Sequence, residues 1–558
     1  MIDKKVALYI LLGFCFFALW EAWQKDYGDN QAASVEEPQS MVSEQESFYK
    51  KTSASLQVLK DKPQIRIEKT IKATTDVLAI KIDLKTGNVT SADLLKYPEV
   101  IYQEQPVRLL DNDIDNHYYI AESGLIGGKL KDNAKKEVTD YYTADDQYVL
   151  ADGENQLIIK LAGKEVGGVK VDKIFTLTRG KYDLKVAYEI TNRSSAPWEG
   201  NLYADLKKKS DNSSGSIFQV KTYEGAAISS AEKPYEKISF SEIEKIDKNK
   251  NGKIREVEVG GWIAIQQRYF IGIWVPDQNQ RHDYWCDYDH GVYSIGFKGD
   301  SFIVDAGKQE TVSTVLYLGP DTVENVSGLA KGLERTVDYG WLWIISIGLF
   351  WILKKIYQLV GNWGVAIILV TGLIKLLFYK FSEASGKSMA RIKELMPRIQ
   401  AIKERYGDDK QKIHQATMEL YQREKVNPFN LGGCLPMLIQ IPFFIALYYV
   451  LIGAVELRHA PFVWWLHDLS AKDPYFILPV LMGLSMVLQQ RLTPSTADPA
   501  QAKMMMIMPL VFTVFFLGFP SGLVLYWLTN NVLSILQQWY INKKIKDKKS
   551  LGKLSTKK

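Results

Sequence analysis

Lys375 stands inside the apolar run NWGVAIILVTGLIKLLFYKF (362–381), where an ammonium group needs water or a partner. Thr371 lies four residues earlier, so on a helix the two share a face and form a polar stripe. Other apolar stretches bring matching groups: Gln440 within 431–455, Gln489 and Gln490 at the end of 475–490, and Asn530 and Asn531 within 504–541. Tyr526 and Trp527 stand one turn before those asparagines as an aromatic rim. A single Asn or Gln in such a helix is ordinarily glue between helices. Together, and with a cation, these residues describe a hydrated recess open to one side of a bilayer. The competing reading of Lys375 is a side chain about 9 Å from its helix end that snorkels to the interface. A wet cationic recess lowers the cost of carrying polar or acidic segments partway across, while apolar neighbours release the rest into lipid. The alternative is a multi-span solute or ion transporter with an external binding domain. Against it, internal repeats are not evident, and the spans carry no acidic partner for a proton relay.

Enzymatic chemistry has little material. The six histidines (His117, His282, His290, His414, His459, His467) are scattered without an HExxH spacing, and no phosphate-binding glycine loop occurs. Cys15, Cys286 and Cys434 cannot build a disulfide framework. No catalytic residue, metal or cofactor is therefore expected. One motif does satisfy a calcium loop: Asp247, Asn249, Asn251, Gly252 and Glu258 fit D-x-[DN]-x-[DN]-G-x5-E. Its flanks, KISFSEIEKI and IREVEVGGWIAI, read as strands, and Asn251-Gly252 is a hairpin dipeptide, so a β-hairpin is the simpler expectation. Lys248, Lys250 and Lys253 also oppose a cation there.

These residues require elements in two solvents. The 558 residues are 46% hydrophobic with a mean hydropathy of -0.13, yet the apolar residues gather in the first 25 positions and the last 200. The net charge of +5 is too small for direct DNA binding to be the main role. Residues 1–25, with VALYILLGFCFFALW followed by Glu21 and no small-residue cleavage site, read as an uncleaved transmembrane anchor. Residues 26–65 read as a flexible linker. From 66 to 330 the period becomes two, as in Leu78, Ile80, Ile82 and Leu84, with Gly and Asn turns between runs, which predicts an all-β sandwich.

Residues 331–360 hold an apolar, aromatic stretch with Lys354 and Lys355, read as a helix lying in the membrane interface, with a sixth core span as the alternative. Residues 361–541 then supply five spans, the last two separated by Phe519-Pro520-Ser521-Gly522. Between the first two lies a helical hairpin, 382–430, whose first helix carries Arg391, Lys393, Arg398, Lys403 and Arg405, either as a solvated face or, in the sharper reading, for an acidic or RNA-bearing partner. The lysine-rich tail 542–558 is cytoplasmic by the positive-inside rule. Counting back places the hairpin inside, the β domain outside and the amino terminus inside. Such a topology fits a bacterial inner membrane facing a periplasm.

The chain resembles the YidC membrane protein insertase family of Gram-negative bacteria. The resemblance rests on NWGVAIILVTGLIK, GDDKQKIHQATMELYQREKVNP, GGCLPMLIQIPFFIALYYVLIGAVELRHAPF, WLHDLSAKDPYFILPVLMG and FPSGLVLYWLTNN, with GGWIAIQQRYF and YLGP in the β region. It implies a periplasmic β-supersandwich, a five-helix core, and insertion of nascent membrane protein segments alone or beside the Sec translocon. By resemblance Lys375 falls where a groove arginine stands, Thr371 and Gln440 match groove residues, and Tyr526 and Trp527 occupy an aromatic pair that meets the inserting segment. Lysine keeps the charge of arginine but not its planar fork. Lys380 stands at an expected proline, and Phe429-Asn430 resembles an insertion. The hairpin is expected to meet the nascent chain or signal recognition machinery, and the basic tail the ribosome.

Overall fold

The computed structural model describes residues 69–127, 140–209, 223–229, 233–248, 255–337, 339–340, 342–407, 409–424, 435–492 and 499–555. The expected anchor 1–25, the linker up to residue 65, and Asn249 and Asn251 of the calcium motif lie outside them. Two compact units emerge, one of strands ending at Gly319 and one of helices from Pro320 onward.

The strand unit obeys its period of two. Leu78, Ile80, Ile82 and Leu84 are buried while Lys81 is exposed. In Asp183–Asn192 every second residue from Leu184 to Asn192 is buried. The described strands form two antiparallel-dominated sheets. One has eleven strands, in order Arg255–Val259, Arg281–Asp289, Val292–Gly299, Trp198–Lys209, His117–Gly127, Pro106–Asp113, Val89–Pro98, Leu78–Asp83, Thr70–Thr74 and Gln147–Val149, with Phe302–Val304 beside Trp198–Lys209. The other has nine and is centred on Phe270–Val275, Gln309–Pro320, Asp183–Asn192 and Val169–Thr178.

Polar bonds stitch the sheets across their buried faces. The fully buried Lys173 ammonium donates to Ser123 O and Oγ, each at 3.0 Å, and Tyr188 Oη donates to Ser123 Oγ at 2.9 Å. Trp274 Nε1 donates to Asp205 O at 3.1 Å. Buried polar groups of this kind are tolerated only when satisfied.

The hairpin expected around Asp247 is corrected. Only Glu236–Ile238 of the upstream flank is a strand, and Phe240–Lys248 is a helix. Ser239 and Glu242 form a capping box: Ser239 N donates to the Glu242 carboxylate at 2.7 Å, and Glu242 N donates to Ser239 Oγ at 3.3 Å. Ile243 gives the helix its buried anchor. Asp247 falls at the end of that helix and Glu258 on the strand Arg255–Val259. Among the described residues no group of three His, Cys, Asp or Glu side chains is arranged to hold a metal ion.

In the helical unit, helix Trp343–Val360 ends at Gly361, whose φ of 68° permits the abrupt turn, and Asn362 caps the next helix, accepting from Val365 N at 3.0 Å. Helix Trp363–Leu377 carries Lys375 and breaks at Phe378, where Tyr379–Tyr406 departs at 61°. Tyr379–Tyr406 and Lys410–Arg423 pack as a hairpin through Leu395, Ile399, Met396, Leu420 and Tyr421, with Asp409 capping the second helix. Leu435–Gly453, Ile477–Leu492, Pro499–Phe516 and Ser521–Ser555 complete the unit, the last running well into the basic tail. Gly483 lets Ile477–Leu492 approach Pro499–Phe516, since a Cβ there would meet Thr513 Oγ1 at 2.0 Å.

Among the described residues one helix, Trp343–Val360, is alone long and apolar enough to cross a membrane. Trp363–Leu377 and Ile477–Leu492 are shorter apolar helices of 15 and 16 residues. Outward-facing Leu369, Leu373, Leu376, Val480, Leu484, Leu488, Leu510 and Val514 nonetheless coat this unit with exposed apolar side chains, which water would not stabilise.

Candidate functional site

Three helices converge on one polar cluster. Lys375, on the last turn of Trp363–Leu377, donates from Nζ to Gln440 Oε1 at 3.2 Å and to Ser534 Oγ at 2.8 Å. Gln440 Nε2 in turn donates to Asn530 Oδ1, and Ser534 Oγ donates to Asn530 O at 2.6 Å. Asn530 and Ser534 are four apart on Ser521–Ser555 and so share a face. No acidic residue stands on any of the three helices near the cluster, so the charge is met by neutral oxygens alone.

The remaining candidates sit around this cluster in different ways. Thr371 is buried, and its hydroxyl bonds back to Ile367 O at 2.7 Å within its own helix. Asn531 is buried on the neighbouring face and donates to Ser485 Oγ at 3.0 Å, joining Ser521–Ser555 to Ile477–Leu492. Successive helical residues differ by 100° in direction, and here Asn530 turns toward Gln440 while Asn531 turns toward Ser485. Gln489 and Gln490 are half-buried at the end of Ile477–Leu492.

Tyr526, 1% exposed, stacks on Phe444 with ring centroids 6.1 Å apart, and Trp527 meets the same ring edge-on at 4.7 Å. Trp527 also packs against Phe512 and Phe516. The Tyr526 hydroxyl is buried beside the Gln440 amide.

In the hairpin, Arg391, Arg398 and Arg405 recur every seven residues and are all exposed. Arg398 pairs with Glu424 at 2.7 Å, Arg405 lies over the Tyr406 ring, and Lys403 is half-buried. The side chain of Lys393 lies outside the described part of the structure. At the hairpin base, Glu383 accepts from Lys387 at 2.9 Å and from Lys544 of the last helix at 3.1 Å, and these bonds hold its carboxyl below the ordinary value. Ser534 and Ser485 were not singled out from the sequence. The signal for Ser534 was its offset of four from Asn530 on one helix, and for Ser485 the polar interruption of an apolar stretch.

A β-rich domain followed by an apolar-coated helical unit with a cation in a polar cluster defines the class as a membrane protein with a separate β domain. The comparisons with known proteins make the class specific. The family of the 60Kd inner membrane protein matches residues 355–549, and the YidC periplasmic domain matches residues 70–352. A membrane protein insertase YidC of Coxiella burnetii is 44% identical over 560 residues, covering 97% of this chain and 96% of its own. The membrane protein insertase YidC of Legionella pneumophila is 42% identical and covers 99% of both chains. A solved active YidC insertase, with its first transmembrane domain resolved, aligns over 85% of this chain and 93% of its own at 19% identity and a TM-score of 0.36.

The chain belongs to the YidC membrane protein insertase family. It is accordingly an inner-membrane protein with a periplasmic β domain.

Proposed function

We propose that the chain inserts nascent membrane protein segments by receiving their polar or acidic ends at the Lys375, Gln440, Asn530 and Ser534 cluster while their apolar parts pass to lipid beside Tyr526 and Trp527. The observation that carries this reading is an ammonium among spans without a single nearby carboxylate, held by two neutral acceptors. A cation kept there at a desolvation cost has functional rather than structural value.

Short helices support the reading. Fifteen residues at 1.5 Å each reach only about 22 Å, less than the roughly 30 Å of a bilayer core. The bilayer must thin around Trp363–Leu377, or its helix must draw headgroups inward. Either shortens the path of a translocated end.

Five spans cross the membrane in this reading: Trp363–Leu377, Leu435–Gly453, Ile477–Leu492, Pro499–Phe516 and the first part of Ser521–Ser555. Trp343–Val360 lies in the interface. Its Lys354 forms a cluster with Glu324 at 2.5 Å and Glu456 at 3.9 Å, too polar for a bilayer centre, while Trp343 and Trp351 are exposed in the manner of interfacial anchors. The hairpin and the carboxyl terminus then face the cytoplasm. The arginine row of the hairpin is the surface for signal recognition machinery, and the basic tail for the ribosome. Work beside the Sec translocon is the second mode, carried by family membership.

A photo-crosslinker placed at Thr371, Asn530 or Trp527 tests the path. Nascent single-span segments should be trapped from Asn530 and Trp527 during insertion, and trapping from the lipid-facing Leu484 alone would overturn the assignment.

A further inference from the structure

The hydrogen bonds of the cluster have a direction, and Lys375 sets it. An ammonium carries donors only, so the Gln440 amide must turn its oxygen toward Lys375. Its NH2 group then faces Asn530, which must answer with Oδ1. That choice leaves the Asn530 Nδ2 protons directed away from the ladder, and among the described residues nothing accepts them. Ser534 closes the other branch, because its single proton is given to Asn530 O and its oxygen is taken by Lys375. The third ammonium proton of Lys375 is likewise unclaimed among the described residues. The Tyr526 hydroxyl is buried beside the Gln440 amide, whose oxygen is already turned to Lys375, so its own proton adds another donor.

We propose that Asn530 is a specificity-determining donor, turned outward by a ladder that begins at Lys375, and that the site takes segments presenting hydrogen-bond acceptors: uncovered backbone carbonyls and Asp or Glu carboxylates. This deepens the insertion reading and rests on it. The site matches an acceptor in two ways, by charge at Lys375 and by directed N–H and O–H groups at Asn530 and Tyr526. Lysine-bearing ends meet the repulsion of the Lys375 ammonium and find no carboxylate, only the Ser534 hydroxyl and two amide oxygens that each already accept one hydrogen bond.

The test uses the full chain in proteoliposomes and two single-span reporters that differ only in a translocated tail bearing two Asp or two Lys residues. The quantity read is the ratio of protease-protected Asp tail to protected Lys tail. Asn530→Leu keeps size and the Lys375 charge but removes the donor, and should lower the ratio about tenfold, the scale of a lost hydrogen bond to a charged group. Asn530→Gln retains a donor and should restore most of it. Gln440→Glu keeps Lys375 satisfied but forces Asn530 to turn its NH2 group inward, so the ratio should fall again. Tyr526→Phe should lower it further in the Asn530→Leu background. A thermal transition of the purified protein in detergent that matches the unaltered chain shows that each variant is folded. An unchanged ratio in Asn530→Leu and Gln440→Glu overturns the proposal, whereas a wild-type protein that inserts neither tail overturns the insertion reading itself.

Discussion

Replacing Lys375 separates charge from packing, because its ammonium makes two defined bonds and its stem lines the helix contact. Lys375→Leu retains the apolar stem and removes the donor to Gln440 and Ser534. A carboxylate at the centre of a bilayer costs about 2.5–3.5 kcal/mol on insertion scales. A charge-assisted hydrogen bond in the cluster returns roughly 1.5–3 kcal/mol of that. Losing it should slow insertion of an acidic tail by about tenfold to a hundredfold while leaving a neutral tail within a few-fold. Lys375→Arg keeps the charge and should stay near wild type. Lys375→Glu adds repulsion and reverses the ladder, so it should be the poorest with acidic tails. The assay is time-resolved protease protection of reporters with acidic and neutral tails in proteoliposomes of each variant. Equal acidic-tail rates for Lys375→Leu and the unaltered chain would rule out a role for the ammonium, since the charged donor is what the substitution removes.

Other consequences are independent of the groove. His282 is buried against Phe297, and desolvation lowers its pKa below the ordinary value. The unfolded chain therefore binds its proton more readily, so the stability due to neutral His282 is full above about pH 6.5 and declines as pH falls below it. Thermal unfolding of the β domain within the full chain should move down on acidification, and His282→Phe should blunt that shift. Lys173→Ala should destabilise the β domain by about 2–5 kcal/mol through its cavity and the broken bonds to Ser123, with Lys173→Met milder, as read from the same transition. Gly483→Val should push apart Ile477–Leu492 and Pro499–Phe516 at a cost of about 1–3 kcal/mol, visible as a lower Tm of the purified protein in detergent. Asp473 is buried and accepts from Leu478 N at 2.7 Å, Tyr475 N at 3.1 Å and Trp465 Nε1 at 3.2 Å, so Asp473→Ala should raise amide exchange at the start of Ile477–Leu492.

The two solvents of this chain were legible because hydropathy and period are local properties. Leu184 through Ile190 alternate in sequence and are buried as they alternate, and Phe519-Pro520-Ser521-Gly522 interrupts two helices as its composition implies. The region around Phe240 misled because Ile238 and Phe240 alternate as in a strand, while the Ser239–Glu242 capping box and Ile243 three residues on from Phe240 decided for a helix. At the cluster, residue types were legible but directions were not. Asn530 and Asn531 look equivalent in sequence, yet one answers Gln440 and the other Ser485, because helix rotation is fixed by packing. Ser534 was hidden by its commonness, since a serine four residues from an asparagine is a weak signal in an apolar helix until a lysine from another helix is seen to reach it.

The central claim is that this chain alone lowers the barrier to membrane insertion. Its most direct measurement is protease protection of a short single-span protein added to liposomes that contain only the purified chain, against matched empty liposomes. The account predicts protection of the translocated end well above the empty control. Protection no higher than that control, with the chain shown to be folded and correctly oriented, would contradict it.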